Sequence, residues 1–152
     1  SEPDPRTDLN GLDVARKLLI LARETGKTIE PEDITVENIL PPGCRKAGTV
    51  VTFFKELEKV DSTFEEKRRK AEKKGNVLRY TATLEKDKAR IILQEVDSRH
   101  PFYSLSGSDN MVVFTTERYK ERPLVIKGPG AGADVTAAGV FADIIRIASF
   151  LT

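Results

Sequence analysis

Residues 77–96 read VLRYTATLEKDKARIILQEV, and the alternation within them decides the fold class. In the first half, Val77, Arg79, Thr81 and Thr83 alternate with Leu78, Tyr80, Ala82 and Leu84, the period-two pattern of a half-buried strand. The second half, residues 89–96, is dominated by aliphatic residues, and Glu85-Lys86-Asp87-Lys88 between the halves is polar enough to reverse the chain. The segment is predicted to be a β-hairpin. Hairpin-linked strands imply an antiparallel or mixed sheet.

Working outward, residues 111–116 and 124–126 supply two more strands. Residues 34–40 form a short strand or extended segment, which Pro41-Pro42-Gly43 breaks. On the N-terminal side, residues 1–10 read as a loop. Asn10 is placed to cap a helix running to about Glu24, Asp13 takes a capping-box-like position three residues later, and Gly26 is the expected stop. Leu12, Ala15, Leu18, Leu19 and Ala22 line one side of this helix, and Val14, Ile20 and Leu21 widen the apolar surface, so the helix is expected to be well buried. Residues 50–60 read as a short helix with Phe53, Phe54 and Leu57 inward. Residues 64–74 read as a charged helix ended by Gly75-Asn76, and residues 135–150 as a final helix. The expected class is α+β: a mixed or antiparallel sheet with helices packed on one face. The other face is available for a second subunit, which makes a homodimer the default.

The bulk properties narrow the function classes. A length of 152 residues fits one compact domain. Charged residues make up 32% but nearly cancel, at a net +1, so there is no electrostatic reason to expect nucleic acid or an anionic membrane as partner. The run Glu65-Glu66-Lys67-Arg68-Arg69-Lys70 carries opposite charges at helical spacing and reads as a solvated face. Cys44 is the lone cysteine, which fits a reducing, cytoplasmic setting, and with one histidine there are too few ligands for a His/Cys zinc site. No apolar run approaches a bilayer span. The opening SEPDPRTDLNG is read as an engineered or proteolytic boundary rather than a natural start.

Two constellations carry chemistry. The first is acidic: Glu2, Asp4, Asp8 and Asp13 gather at the front of the first helix, and Lys17 follows Asp13 by one turn on the same face. An ordinary surface ion pair explains Asp13 and Lys17 by default. On a well-buried helix, however, a carboxylate and an ammonium must face each other or a ligand. A carboxylate can then hold a substrate ammonium group, and a lysine kept charged by its neighbour can donate a proton to an alkoxide. The second constellation is Lys127-Gly128-Pro129-Gly130-Ala131-Gly132, which feeds the last helix. Its backbone N–H groups can approach an anion or a flat ring closely, although a tight strand-to-helix turn explains most such loops. The spacing matches neither the dinucleotide-binding nor the phosphate-binding glycine motif.

The run SEPDPRTDLNGLDVARKLLILAR resembles the signature of homoserine dehydrogenases, and the tail GPGAGADVTAAGVFADIIRIA resembles the same family's C-terminal signature. Residues 105–110 and 115–119 also look like that family, most of all its bifunctional aspartokinase–homoserine dehydrogenase members. The resemblance covers the whole chain and is strongest at both ends. It implies NAD(P)H-dependent interconversion of L-aspartate 4-semialdehyde and L-homoserine, on the route to threonine, methionine and isoleucine. It implies substrate contacts from Glu2 and Asp13, a catalytic part for Asp8 and Asp13, and proton donation by Lys17. It also implies cofactor contact by Gly132, with Gly130 beside it in the loop.

The family's NADP- or NAD-binding domain and a second catalytic lysine lie before the stretch matched here. The chain is therefore read as the substrate-binding and dimerisation part, inactive alone, with residues 128–152 packing on that other domain. Two other classes fit the residues alone: a small α/β module that binds amino acids for regulation, and a purely structural oligomerisation domain. Homoserine binding by calorimetry separates the enzyme from the regulatory module, and turnover after replacement of Lys17 by Ala in the full-length protein separates it from the structural domain.

Overall fold

The computed structural model describes residues 3–86 and 88–150. Length alone suggests one compact body, but the contacts resolve into two units, residues 1–97 and 98–152.

The first unit is built on the hairpin. Strands β2 (Val77–Glu85) and β3 (Lys88–Val96) pair antiparallel, with Val77 opposite Val96 and Tyr80 opposite Leu93. Lys86 sits in the reversal at φ 56°, and Asp87 lies outside the described residues. The short strand β1 (Ile34–Val36) adds to β3 in parallel, so the sheet is mixed, with β3 central. Helix α2 (Leu12–Glu24) lies on the face that carries Tyr80, Ala82, Leu84, Ala89 and Ile91. It buries Leu18 and Ala22 there, against Ile29, Ile34, Ala89 and Ile91. Gly26 ends α2 as expected, at φ 82°, with Lys27 N–H on the Ala22 carbonyl and Gly26 N–H on that of Arg23.

Helix α5 (Asp61–Glu72) ends the same way at Gly75, and just beyond it Lys74 pairs with Glu95 at 2.9 Å, on the sheet face used by α2. The unit is α+β, with helices on one face of a mixed sheet, and the other face presents Arg79, Thr81, Thr83, Arg90, Ile92 and Gln94. A second apolar cluster joins helix α3 (Pro42–Lys46) to helix α4 (Val50–Glu58) through Leu40, Cys44, Ala47 and Phe53, with Leu9, Leu57 and Val60 at its edge.

Three expectations are corrected here. Residues 1–10 are not all loop: helix α1 (Pro5–Leu9) forms because Asp4 caps it, its Oδ1 accepting from Arg6 N–H at 3.0 Å, and Pro5 takes the first-turn position that needs no N–H. The Pro-Pro-Gly sequence opens a helical turn rather than only breaking the chain, since Pro42 likewise occupies a first turn. Phe54 does not point inward but remains 48% exposed, its ring edge-on to the fully buried Phe53.

The second unit pairs strands β4 (Asp109–Phe114) and β5 (Leu124–Pro129) antiparallel, then enters helix α6 (Ala133–Phe150). These two strands form a sheet of their own. Leu124, Val125 and Ile126 of β5 are exposed, as is the apolar side of α6, including Val140, Phe141, Ile144, Ile145 and Ile147.

Candidate active site

The segment from Asp4 to Lys17 is a helix, a two-residue reversal and a second helix, and its geometry turns on Gly11. Helix α1 stops at Asn10, whose N–H closes on the Arg6 carbonyl. Gly11 then takes φ 82°, a left-handed conformation that costs glycine little. Its carbonyl accepts from Ala15 N–H at 2.9 Å and starts α2, while Asn10 Oδ1 accepts from Leu12 N–H at 2.8 Å. Asn10 thus caps the helix from one position further back than its spacing predicts.

Gly11 is buried, and a side chain there would have no room: a β-carbon would collide with the Tyr80 hydroxyl and lie 2.9 Å from Val36 Cγ1. Arg6 holds the other side of the segment. Its guanidinium lies on the Asp4 carboxylate and donates to the Ala47 carbonyl. The paired charges hold the Asp4 carboxyl below its usual range, chiefly through the side-chain hydrogen bond from Arg6.

On this frame Asp8 is exposed on α1, and Asp13 and Lys17 pair on α2 with Nζ 2.9 Å from Oδ2. The pair is solvated, its side chains 60% and 54% exposed. This corrects the expectation that α2 is well buried. Leu12 and Ile20 point outward, at 51% and 60% exposure, so the core takes one side of the helix, fully at Leu18 and Ala22 and partly at Val14, Ala15 and Leu19. Ile20 shares the face of Asp13 and Lys17 at helical spacing. An exposed pair of this kind contributes about 0.3–0.5 kcal/mol, so no burial penalty obliges Asp13 and Lys17 to face a ligand. Glu2 lies outside the described residues.

In the second unit the glycines of the loop before α6 divide by role. A β-carbon on Gly130 would collide with the Asn110 amide, and Gly130 N–H donates to the Ser108 carbonyl at 3.3 Å. Gly130 is therefore explained by its own strand pair. Gly132 is different: φ is 146°, its carbonyl opens α6 by accepting from Thr136 N–H at 3.0 Å, and the nearest atom to a β-carbon would be Val135 Cγ2 at 4.0 Å. Open space over a glycine at a helix start suits a flat ring or an anion. Of the two, Gly132 has open space beside it, whereas the space beside Gly130 is filled by Asn110.

Two shallow depressions lie elsewhere in the first unit, one lined by Phe54, Leu57, Glu58 and Asp61, the other by residues including Lys67, Leu78 and Glu95. Among the described residues no cluster of His, Cys, Asp and Glu is placed to hold a metal ion, and no helix is long and apolar enough to cross a membrane.

The model of the homoserine dehydrogenase family matches residues 1–145. The chain belongs to the homoserine dehydrogenase family. It is 48% identical over 153 residues to the chloroplastic bifunctional aspartokinase/homoserine dehydrogenase of Daucus carota, covering 99% of this chain and 17% of that protein. It is 45% identical to the homoserine dehydrogenase of Schizosaccharomyces pombe, covering 98% of this chain and 40% of that one. The chain thus spans less than half the length of these relatives. Among solved structures, a Candida auris protein of unknown function superposes with a TM-score of 0.88 at 42% identity, over 97% of this chain and 42% of its own. The Staphylococcus aureus homoserine dehydrogenase shares the fold, with a TM-score of 0.69 at 20% identity, over 99% of this chain and 34% of its own.

Asp4, Asp8, Asp13 and Lys17 flank the turn at Gly11, and Asp13 and Lys17 are together as their spacing predicts. Sequence reasoning missed Gly11, Tyr80 and Arg6. Only Gly11 gave a signal, a glycine between a capping asparagine and a helix where no flexibility is otherwise needed.

Proposed function

We propose that this chain is the substrate-binding and catalytic portion of a homoserine dehydrogenase, which reduces L-aspartate 4-semialdehyde to L-homoserine in amino-acid biosynthesis. The observation that carries the reading is the family match together with the Asp13–Lys17 pair at 2.9 Å, held on the segment that bears the family's acids. Reduction of an aldehyde needs a hydride at carbon and a proton at oxygen. NADPH or NADH supplies the hydride when bound. Lys17, paired with Asp13 at 2.9 Å, donates the proton to the carbonyl oxygen as charge develops there. Glu2 and Asp13 hold the substrate ammonium group, and Asp8 assists from the end of α1.

The solvated state of Lys17 belongs to a site that needs a second wall. In this reading the wall is the NAD(P)-binding domain of the parent chain, bearing most of the cofactor and packing on residues 128–152, with Gly132 against the cofactor and Gly130 shaping the loop. The apolar side of α6 is the surface left for it. A homodimer through the second sheet face, a cytoplasmic site of action and no nucleic-acid or membrane partner complete the proposal. The test is turnover of aspartate semialdehyde by the full-length protein carrying Lys17→Ala: the enzyme loses activity, whereas an amino-acid-binding module or a structural domain keeps it. The isolated 152-residue chain is expected to show no turnover.

A further inference from the structure

Tyr80 stands at the centre of β2, on the sheet face that receives α2. Its hydroxyl donates to the Glu37 carbonyl at 2.9 Å. Glu37 is itself fixed, because its N–H donates to the Ile91 carbonyl at 2.8 Å and continues the β1–β3 ladder. Burial, and secondarily the Glu37 charge, raises the Tyr80 pKa, so the phenol remains a donor across the neutral range. Directly over it lies Gly11, closer than any residue with a side chain could come: a β-carbon would meet the hydroxyl, and the ring carbon Cζ at 3.3 Å.

Gly11 falls three residues after Asp8 and two before Asp13, and it starts the helix that carries Lys17. A helix pivots as a rigid rod. Lys17 is six residues from Gly11, roughly 9 Å along the axis at 1.5 Å per residue, so a tilt of about 6° at the turn moves it by ~1 Å. A misplacement of ~1 Å in a reacting group costs on the order of 100-fold in rate.

We propose that Tyr80 is a positioning residue for Asp8, Asp13 and Lys17, fixing the α1–α2 turn through its bond to Glu37 and through the space it takes beneath Gly11. This rests on the dehydrogenase reading above. The residue touches neither substrate nor cofactor in the proposal; it acts through the height and tilt of α2.

The experiment uses the full-length dehydrogenase and compares Tyr80→Phe, Gly11→Ala, the double variant and Lys17→Met by steady-state kinetics. Tyr80→Phe is expected to lower kcat several-fold, up to roughly tenfold, with the KM for the nicotinamide cofactor unchanged. Gly11→Ala is expected to lose on the order of 100-fold in kcat. The double variant should recover part of that loss, because the nearest colliding atom is gone. Lys17→Met should lose on the order of 100- to 10,000-fold in kcat. Parental kcat in Tyr80→Phe beside an inactive Lys17→Met overturns the positioning role and leaves the dehydrogenase reading standing. Equal losses in kcat and in cofactor affinity also overturn it, because they mark a general structural defect. Retained turnover in Lys17→Met overturns the functional reading and this proposal together. If Gly11→Ala does not fold, Tyr80→Phe still decides.

Discussion

The Tyr80 hydroxyl occupies the place that a β-carbon on Gly11 would need, so the turn before α2 rests directly on the sheet. The φ of 82° at Gly11 adds a second reason for glycine. Replacement by alanine meets both a left-handed backbone and a collision with a hydrogen-bonded ring. Gly11→Ala is expected to destabilise the first unit by about 2–4 kcal/mol, read as a lower denaturant midpoint with an unchanged slope.

Thr81 lies in the middle of β2 on the face away from α2, 5% exposed, and its hydroxyl is buried without a hydrogen-bond partner among the described residues. A valine has the same branched shape and leaves nothing unsatisfied. Thr81→Val is expected to raise stability by about 1 kcal/mol, measured by thermal or chemical unfolding. A loss of stability would mean that the hydroxyl has a partner in the assembled protein.

The charged face of α5 offers a test in pH. Glu65 accepts from Arg68 at 2.8 Å and from Arg69 at 2.7 Å, and those two hydrogen bonds hold its pKa at about 2, against 4.5 for a free glutamate. A folded-state pKa below the unfolded one gives stability that is present above about pH 4.5 and lost as pH falls towards 2. Acid titration of the parent against Glu65→Gln should therefore show a difference that shrinks across that window. Because the group is at the surface, added salt should shrink it too.

The glycine-rich loop makes a sharper contrast. Gly130→Ala drives a methyl group into the Asn110 amide, whereas a methyl on Gly128, two residues earlier, meets no atom within 4 Å. Gly130→Ala is expected to cost about 1–3 kcal/mol and Gly128→Ala to fall within about 0.5 kcal/mol of the parent. Unfolding of the two variants side by side checks this, and equal effects would contradict the packing account.

These sites show where sequence was enough. The alternation over residues 77–96 placed the hairpin because a period of two has one structural meaning, and Gly26 and Gly75 stopped their helices because a left-handed cap favours glycine. Helix α1 spans five residues, too few for a periodic pattern, so residues 1–10 read as a loop although Asp4 makes Pro5 a first-turn residue. The burial of α2 is less complete than its apolar content suggests, because Leu18, Ala22 and the half-buried Val14, Ala15 and Leu19 meet the core while Leu12 and Ile20 face outward. Asp13 and Lys17 were legible as a pair because helical spacing dictates it. The support beneath them was not, since Tyr80 reaches Gly11 across 69 positions of sequence and no local pattern encodes that approach.

Lys17 is the proton donor on which the proposed chemistry depends, and turnover of aspartate semialdehyde by the full-length protein with Lys17→Met measures this most directly. The pair with Asp13 is solvated, so the variant should fold and melt like the parent, within about 0.5 kcal/mol. Its kcat should fall on the order of 100- to 10,000-fold. A stable, folded Lys17→Met protein that turns over within about tenfold of the parent would contradict the account.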